Sequence, residues 1–288
     1  MKRILILGGG ISKEREISLD TAKQVNKTLK KKFKTFICEP NHQLNKNIKR
    51  FKPNIIFNAL HGRFGEDGYI QSVLEKLKIK YTHSGVISSF LAMNKILSKE
   101  IFIKNNIPTP KYFKFIFSKK NMSKKKIVKK INDKLKFPVI IKPINEGSSV
   151  DVFICTKKNI LSNLKKLEKY NEIIIEKYIG GREIQVAILG KKKLGAIELR
   201  PKRKFYDYKA KYSSSAKTEH IIPVNLEKKY LDKVLNLGLK AHKLLGCRGV
   251  TRSDFKFYKN KFYLLEVNTQ PGMTKLSLVP EIALYRGM

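Results

Sequence analysis

The stretch RGVTRSDFKFYKNKFYLLEVN, residues 248–268, carries the strongest signal for fold and chemistry. Apolar and polar residues alternate on both sides of Lys259-Asn260-Lys261, which predicts two antiparallel strands joined by a tight turn. Glu266 and Asn268 are two residues apart and share a face, and we expect Asp254 to lie opposite them. Two carboxylates and an amide oxygen suit Mg²⁺. The alternative is a surface hairpin with charged positions facing solvent.

A cation belongs to the same predicted face. Arg252 precedes Asp254 by two residues, and a guanidinium beside a metal can stabilise charge on a phosphoryl group or an oxyanion. The second strand runs into Asn268-Thr269-Gln270-Pro271-Gly272, an unusual ending for a surface hairpin. These neighbours favour the metal interpretation.

Upstream of this hairpin the chain changes pattern near residue 84. Before it, strands such as KRILILGG and KPNIIFNALHG alternate with helices, and KYTHSG at 80–85 predicts a further short strand. Such alternation predicts a parallel sheet covered by helices. After it, SSFLAMNKILSKEIFIKNN predicts one helix, and mixed strands and helices follow. The sequence therefore predicts a parallel α/β unit followed by two α+β units.

Two loops near the start of the chain carry ionisable residues. Gly8-Gly9-Gly10 follows a strand, as in a dinucleotide site, but the third glycine of that fingerprint is missing, and a plain turn is the alternative. Glu14 stands where an anion would bind at a helix start, so it can instead hold a cationic amine. The segment 61–68, HGRFGEDG, lies at the end of a predicted strand. Ligands bind at the carboxyl ends of parallel strands, so this segment indicates a ligand-binding loop, with a polar turn as the alternative.

Lysine and hydroxyl groups in the middle of the chain suit an anion. Lys142 ends an apolar strand, and burying an unpaired lysine costs several kcal/mol, so we expect an anionic partner. The following Glu146-Gly147-Ser148-Ser149 offers amide and hydroxyl donors suited to phosphate, although it is not a Walker A loop. Lys95 is a possible second phosphate lysine, and on its own it reads as a solvated helix residue.

Composition narrows the function classes. The formal net charge is +39, but only ten of the 62 basic residues are Arg and the lysines are spread along the chain, which favours a solvated basic surface over a nucleic-acid site. The three cysteines lie far apart without CxxC, which argues against a disulfide scaffold or a cysteine zinc site. Apolar runs stay short of the ~18 residues of a membrane span. We expect a soluble, cytoplasmic protein.

Eight segments in order resemble the D-alanine–D-alanine ligase family of the ATP-grasp superfamily. They are ILGGGISKEREISL (6–19), ALHGRFGEDGYIQ (59–71), MNKILSK (93–99), PVIIKPINEGSSV (138–150), EKYIGGREIQVAIL (176–189), YDYKAKY (206–212), GCRGVTRSDF (246–255) and LLEVNTQPGMTKLSLVP (264–280). The resemblance implies an ATP-grasp fold. An N-terminal Rossmann-like domain (1–83) would contribute to the substrate site, and two α+β subdomains (84–179 and 180–288) would clamp ATP.

The resemblance also implies a reaction and a set of residue roles. ATP phosphorylates one D-alanine, and the amine of a second attacks the acylphosphate, with two Mg²⁺ (or Mn²⁺) ions bound by Asp254, Glu266 and Asn268. Lys95, Lys142 and Lys211 would hold phosphates, Glu176 and Lys177 the adenine, and Glu183 the ribose. Glu14 and His61 would bind the first D-alanine, and Ser277 and Leu278 the second. Glu14, Ser148 and Tyr212 would close a loop, and Arg252 with the Gly272 amide would form the oxyanion hole.

Several features qualify this resemblance. The polar stretch at 204–218 predicts a lid. Relatives that make a D-alanine–D-lactate ester have phenylalanine where this chain has Tyr212, so the resemblance implies a dipeptide product. Asp151 stands where the family usually has glycine, and we expect it to point away from phosphate or to pair with a lysine. Relatives generally continue past Met288 into a further helix, so this chain can be a truncated one. The resemblance implies a possible homodimer. Another ATP-grasp carboxylate–amine ligase and a polyanion-binding protein are the competing functions.

Overall fold

The computed structural model describes residues 1–117, 123–200 and 218–288. Its N-terminal sheet has three parallel strands in the order β2–β1–β3, formed by Arg3–Leu7 (β1), Lys34–Cys38 (β2) and Ile55–Asn58 (β3). Both faces of β1 are buried, one by α1 (Arg15–Leu29) and the other by α2 (Leu44–Phe51) and α3 (Tyr69–Lys76). This confirms the predicted parallel α/β unit. The predicted strand at 80–85 was wrong: Tyr81 alone forms a bridge, to Ile56.

A helix break separates α4 (Val86–Met93) from α5 (Lys95–Lys104), where the sequence predicted one continuous helix. Asn94 leaves the helical region (φ −81°, ψ 104°), and its side-chain oxygen accepts from the amides of Ile96 and Leu97, each at 3.1 Å. Asparagine is a preferred N-cap because it satisfies amides that have no partner in the first turn. The break makes Lys95 the first residue of α5.

The central sheet is antiparallel in the order β4–β7–β5–β6. Its strands are Tyr112–Ile116 (β4), Val139–Pro143 (β5), Phe153–Cys155 (β6) and Glu172–Lys177 (β7). The helices α6 (Lys124–Leu135) and α7 (Ile160–Leu167) pack on one face with a core that includes Ile141 and Ile175. Because side chains alternate along a strand, Lys142 and Glu176 project from the opposite face.

The C-terminal sheet is antiparallel in the order β10–β9–β8–β11–β12. Its strands are Arg182–Leu189 (β8), Lys192–Arg200 (β9), Glu219–Ile221 (β10), Val250–Tyr258 (β11) and Lys261–Asn268 (β12). The last two form the predicted hairpin. The helix α8 (Lys228–Leu244) packs on one face and α9 (Leu278–Tyr285) on the other.

The helices α4 and α5 join the units. Phe102 of α5 shares an apolar core with Phe255 and Phe262 of the C-terminal sheet, and the amide of Leu264 donates to the carbonyl of Pro108 at 2.8 Å. The predicted domain boundaries at 83/84 and 179/180 stay predictions. Within the described ranges, every helix is too short or too polar to cross a membrane.

Candidate active site

Two adjoining pockets open where the three sheets meet. The first pocket brings together residues predicted for substrate, catalysis and metal, namely Glu14, His61, Ser148, Arg252, Glu266, Asn268, Gly272, Ser277 and Leu278. The second pocket is lined by residues predicted for ATP and metal, namely Lys95, Lys142, Glu176, Lys177, Glu183, Asp254 and Glu266. Lys95, Glu146, Gly147 and Glu266 line both pockets. The two spaces therefore meet beside one lysine, two glutamates and a glycine.

A buried carboxylate lies in the first pocket. Glu14 immediately precedes α1, and its Oε2 accepts a hydrogen bond from Ser148 Oγ at 2.6 Å. His61 is also buried, with Nδ1 at 3.2 Å from Glu66 Oε1 and Nε2 at 3.0 Å from Thr21 Oγ1. The structure thus brings together two members of the predicted set Glu14, Ser148 and Tyr212. Lys211, Tyr212 and the predicted lid as far as residue 217 lie outside the described residues.

The loop after β5 joins the central unit to the N-terminal one. A Cβ on Gly147 would lie 3.0 Å from Glu14 Oε1, which is a tight contact, so glycine lets the loop approach the carboxylate. Ser148 (φ 48°), Ser149 (φ 58°) and Asp151 (φ 55°) occupy the left-handed region. That conformation accounts for a glycine preference at position 151, although aspartate tolerates it better than most residues.

The negative charge of Asp151 is balanced by a lysine at the base of this loop. Lys169 Nζ lies 2.8 Å from Asp151 Oδ2, and the Tyr170 hydroxyl donates to the same oxygen. Burial alone would raise the pKa of Asp151, but the hydrogen bonds from Lys169 and Tyr170 outweigh it and lower the pKa below its usual value. The acid therefore pairs with a lysine, one of the two arrangements that the sequence led us to expect.

The hairpin β11–β12 arranges its polar residues on one face. Asp254 pairs directly opposite Glu266, and Arg252 opposite Asn268. A β-bulge follows Asp254, and such irregularities commonly aim side chains near functional sites. Arg252 makes a bidentate ion pair with Asp254, at 2.8 and 3.0 Å. The predicted juxtaposition of two carboxylates and an amide is present.

These side chains fit a divalent cation by their donor chemistry. Asp254 and Glu266 supply anionic oxygens and Asn268 a neutral one, which is the all-oxygen set that Mg²⁺ or Mn²⁺ accepts. Asn268 Oδ1 accepts from the Gln270 amide at 2.7 Å, which orients the amide group. Among the described residues no cluster of three or more His, Cys, Asp or Glu is placed to hold a metal. The predicted set has two such side chains, with the amide as third donor.

Two buried lysines, Lys95 and Lys142, line the second pocket. Lys142 Nζ lies 2.6 Å from Glu176 Oε1, and Lys95 Nζ donates to the Glu146 carbonyl at 2.5 Å. Lys95 also lies 3.8 Å from Glu266 Oε2, so it faces the acidic hairpin. Burial lowers the pKa of Lys95, because the charged form loses solvation. The cations are held near carboxylates and aimed into the pocket, where they can bind a polyanion.

The remaining predicted residues also line these two pockets. Glu183 Oε2 accepts from Lys256 Nζ at 2.9 Å, while the Lys177 ammonium donates to the Lys136 carbonyl at 2.8 Å. A Cβ on Gly272 would lie 2.8 Å from Ser277 Oγ, so only glycine fits there without a shift. Ser277 immediately precedes α9, and Leu278 is its first residue.

A family model described as "D-ala D-ala ligase C-terminus" matches residues 101–288. The chain is 66% identical to the D-alanine–D-alanine ligase of Pelagibacter ubique strain HTCC1062 over 288 residues, which is 100% of this chain and 94% of that protein. The chain belongs to the D-alanine–D-alanine ligase family.

Further members of the family agree along nearly the whole chain. The D-alanine–D-alanine ligase of Wolbachia pipientis wMel is 43% identical over 285 residues, 97% of this chain and 88% of its own. The crystal structure of the Bacillus anthracis D-alanine–D-alanine ligase complexed with ATP has a TM-score of 0.84 at 30% identity, covering 100% of this chain and 92% of that one. A second structure of the Bacillus anthracis ligase gives 0.86 at 34% identity, with 100% and 93% covered. The fold is therefore that of ATP-grasp ligases of this family, as predicted.

Sequence reasoning missed two buried polar residues of this family member. Gln270 accepts from Asn58 Nδ2 at 2.6 Å and donates to the Leu60 carbonyl, so it ties the end of β12 to the N-terminal sheet. Lys99 is completely buried beside Glu176. Its spacing of four from Lys95 places both lysines on one helix face, and this was the available signal.

Proposed function

We propose that this protein is a D-alanine–D-alanine ligase, which couples the cleavage of ATP to ADP and phosphate with formation of D-alanyl-D-alanine. Family membership supports this activity. The observation that carries the proposal is the junction of the two pockets at Lys95 and Glu266. A nucleotide in the second pocket would present its terminal phosphate at this junction, where it faces a carboxylate substrate in the first.

The chemistry requires activation of a poor electrophile. A carboxylate oxygen of the first D-alanine attacks the γ-phosphorus of ATP, and the bond from phosphorus to the bridging oxygen of ADP breaks. We assign Lys95 and Lys142 to the phosphates, because both are buried cations that line the second pocket. Lysine can stabilise the charge of the transferring phosphoryl group. We expect Lys211 to assist them, as the family resemblance implies.

We assign the substrate positions within the first pocket. Glu14 receives the ammonium of the first D-alanine, with His61 in the same pocket, and Ser277 and Leu278 line the position of the second. The amine of the second D-alanine attacks the acylphosphate carbon, and phosphate then leaves with one former carboxylate oxygen. Arg252 and the amide of Gly272 would stabilise the intervening oxyanion.

The hairpin β11–β12 carries the proposed site for divalent ions. Asp254, Glu266 and Asn268 would hold Mg²⁺ or Mn²⁺, which supplies charge neutralisation for the nucleotide phosphates. The acylphosphate must be kept from water, and we expect the polar segment 204–218 with Tyr212 to serve as the lid. Glu176 and Lys177 would line the adenine position and Glu183 the ribose position.

A substrate screen tests the activity. The purified chain is incubated with ATP, Mg²⁺ and single amino acids, and phosphate release and product mass are followed. We expect dipeptide and phosphate with D-alanine and neither with L-alanine. Turnover only with other amino acids would instead identify another carboxylate–amine ligase of the superfamily. ATP-independent, steeply salt-dependent binding of nucleic acid without turnover would identify a polyanion-binding protein.

We extend the proposal to the setting of the reaction. The dipeptide would enter bacterial peptidoglycan synthesis, with the enzyme in the cytoplasm, and cell fractionation tests that location.

We also propose a homodimer, as family resemblance implies. Tyr69 on α3 and Ile87 and Phe90 on α4 are large exposed apolar side chains, which are typical of subunit interfaces. Light scattering in solution would measure the molecular mass of the protein. A monomer mass at micromolar concentration would contradict the dimer.

A further inference from the structure

Lys99 is a charged residue in the interior that the roles above leave unused. Its side chain has 0% exposure, and its Nζ lies 3.1 Å from Glu176 Oε2. The same Nζ donates to Thr109 Oγ1 at 2.6 Å, in the connection between α5 and β4. Burying an ammonium costs several kcal/mol unless a carboxylate compensates it, so this arrangement is not a solvated helix residue.

Glu176 is shared between two lysines. Lys142 approaches Oε1 at 2.6 Å from β5, and Lys99 approaches Oε2 at 3.1 Å from α5. Burial would raise the pKa of Glu176, but Lys142 and Lys99 outweigh it and lower the pKa. The carboxylate is therefore held in its charged form, and it lines the second pocket.

The two lysines differ in what they can reach. Lys142 lines the second pocket, so a polyphosphate there competes with Glu176 for its ammonium. Lys99 lies behind Glu176, where it also contacts the Thr109 hydroxyl and lies 5.7 Å from the centre of the Tyr112 ring. If Lys142 turned to a phosphate, the contact of Lys99 with Oε2 would remain beside the carboxylate.

Lys99 also connects two parts of the fold. It is carried by α5, whose Phe102 packs in the core of the C-terminal sheet, whereas Glu176 belongs to the central sheet. The ion pair therefore links the central sheet to a helix that packs against the C-terminal sheet. It can fix the position of Glu176 relative to both of them.

We propose that Lys99 is a positioning residue for nucleotide-base selection: it keeps Glu176 charged and oriented as a hydrogen-bond acceptor for the amino group of adenine. This inference rests on the proposed use of ATP and on the proposed adenine role of Glu176. A charged acceptor attracts the 6-amino group of adenine and repels the carbonyl oxygen that inosine carries at that position.

Binding of ATP and ITP, measured by calorimetry without D-alanine, tests the inference separately from turnover. We expect the wild type to prefer ATP by about tenfold or more, because a hydrogen bond to a charged group contributes ~1.5–3 kcal/mol. K99M should lose most of this preference, and K99R, which retains the charge, should keep it. The matched control is K104M, an exposed lysine of the same helix, which should leave the preference unchanged.

The double variant with E176Q distinguishes positioning from general damage. Glutamine can both accept and donate, so E176Q should lose the preference, and adding K99M should change it no further. If K99M does not fold, K99Q replaces it as the neutral variant in the same comparison with K99R. An unchanged ATP:ITP ratio in K99M, a lost ratio in K99R, or a retained ratio in E176Q would overturn the inference. ATP binding with this pattern but without dipeptide formation would refute the proposed function alone.

Discussion

The acidic residues of the hairpin β11–β12 and the lysine cluster around Glu176 face each other across one cleft. The hairpin could be predicted from the sequence more completely than the cluster. The hairpin places Asp254 opposite Glu266 within one local pair of strands, and alternation along a strand predicts this from sequence. The cluster joins Lys99, Lys142 and Glu176 from three elements, which only the tertiary fold brings together. The comparison teaches that local periodicity reveals a site when its residues share one hairpin.

The largest expected effect comes from a substitution on the acidic side of the cleft. E266Q keeps the shape of the side chain but removes the negative charge that would hold the divalent ions. We expect the rate of dipeptide formation to fall by about 10³-fold, because such an ion contributes several kcal/mol to phosphoryl transfer. The control E227Q removes a 66%-exposed carboxylate of the same unit and should have wild-type turnover. Wild-type activity in E266Q would disprove the metal assignment.

The next effect tests the basic side. K142M removes a cation assigned to phosphate while Glu176 keeps its contact with Lys99. We expect kcat/KM for ATP to fall by about 10²-fold, because a hydrogen bond to a charged group contributes up to ~3 kcal/mol. The control K125M removes an exposed lysine of α6. Equal kinetics in K142M and K125M would show that burial in the cleft does not distinguish the two lysines.

A pH series separates the members of the basic side. Burial, reinforced by the positive charge of Lys142, lowers the pKa of Lys99 to about 8. The carboxylates of Glu176 and Glu266 oppose this shift. Raising the pH from 7 to 9 should therefore discharge Lys99 in the free protein and weaken ATP binding by up to about tenfold. K99R stays charged, and it retains the other titrating groups. Parallel pH dependence in K99R and the wild type would exclude Lys99 as its source.

The smallest effect concerns the loop between the two sides. D151G and D151A both remove the contacts with Lys169 and Tyr170, but only alanine is strained at φ 55°. We expect D151A to have a free energy of unfolding lower than that of D151G by about 1 kcal/mol, measured by urea denaturation. Equal stabilities would mean that the backbone of the loop relaxes freely in both variants.

Several further differences between sequence and structure have local physical causes. The parallel α/β unit was predictable because β1 is apolar on both faces. The break at Asn94 was missed because an asparagine inside a helical pattern looks tolerable until its cap contacts are seen. Lys99 was missed because its partner, Glu176, lies 77 positions further along the chain, so no local pattern predicts their contact.

The residue roles themselves came from another source. Physical patterns indicated that Glu14 can hold an amine and that Lys142 needs an anion, while the assignment of adenine to Glu176 and ribose to Glu183 came only from family resemblance. The structure adds contacts such as Lys256 with Glu183, which pair residues across neighbouring strands. No pattern in a single strand distinguishes such a pair from exposed charges.

Oxygen transfer from substrate to phosphate tests the central claim, that Lys95 and Glu266 mark the point where a phosphoryl group passes to a carboxylate. D-alanine labelled with ¹⁸O in both carboxyl oxygens is incubated with ATP, Mg²⁺ and the enzyme, and phosphate and dipeptide are analysed by mass. The account predicts one ¹⁸O in the released phosphate for each dipeptide formed, with ADP as the other product. Dipeptide accompanied by unlabelled phosphate, or by AMP, would contradict it.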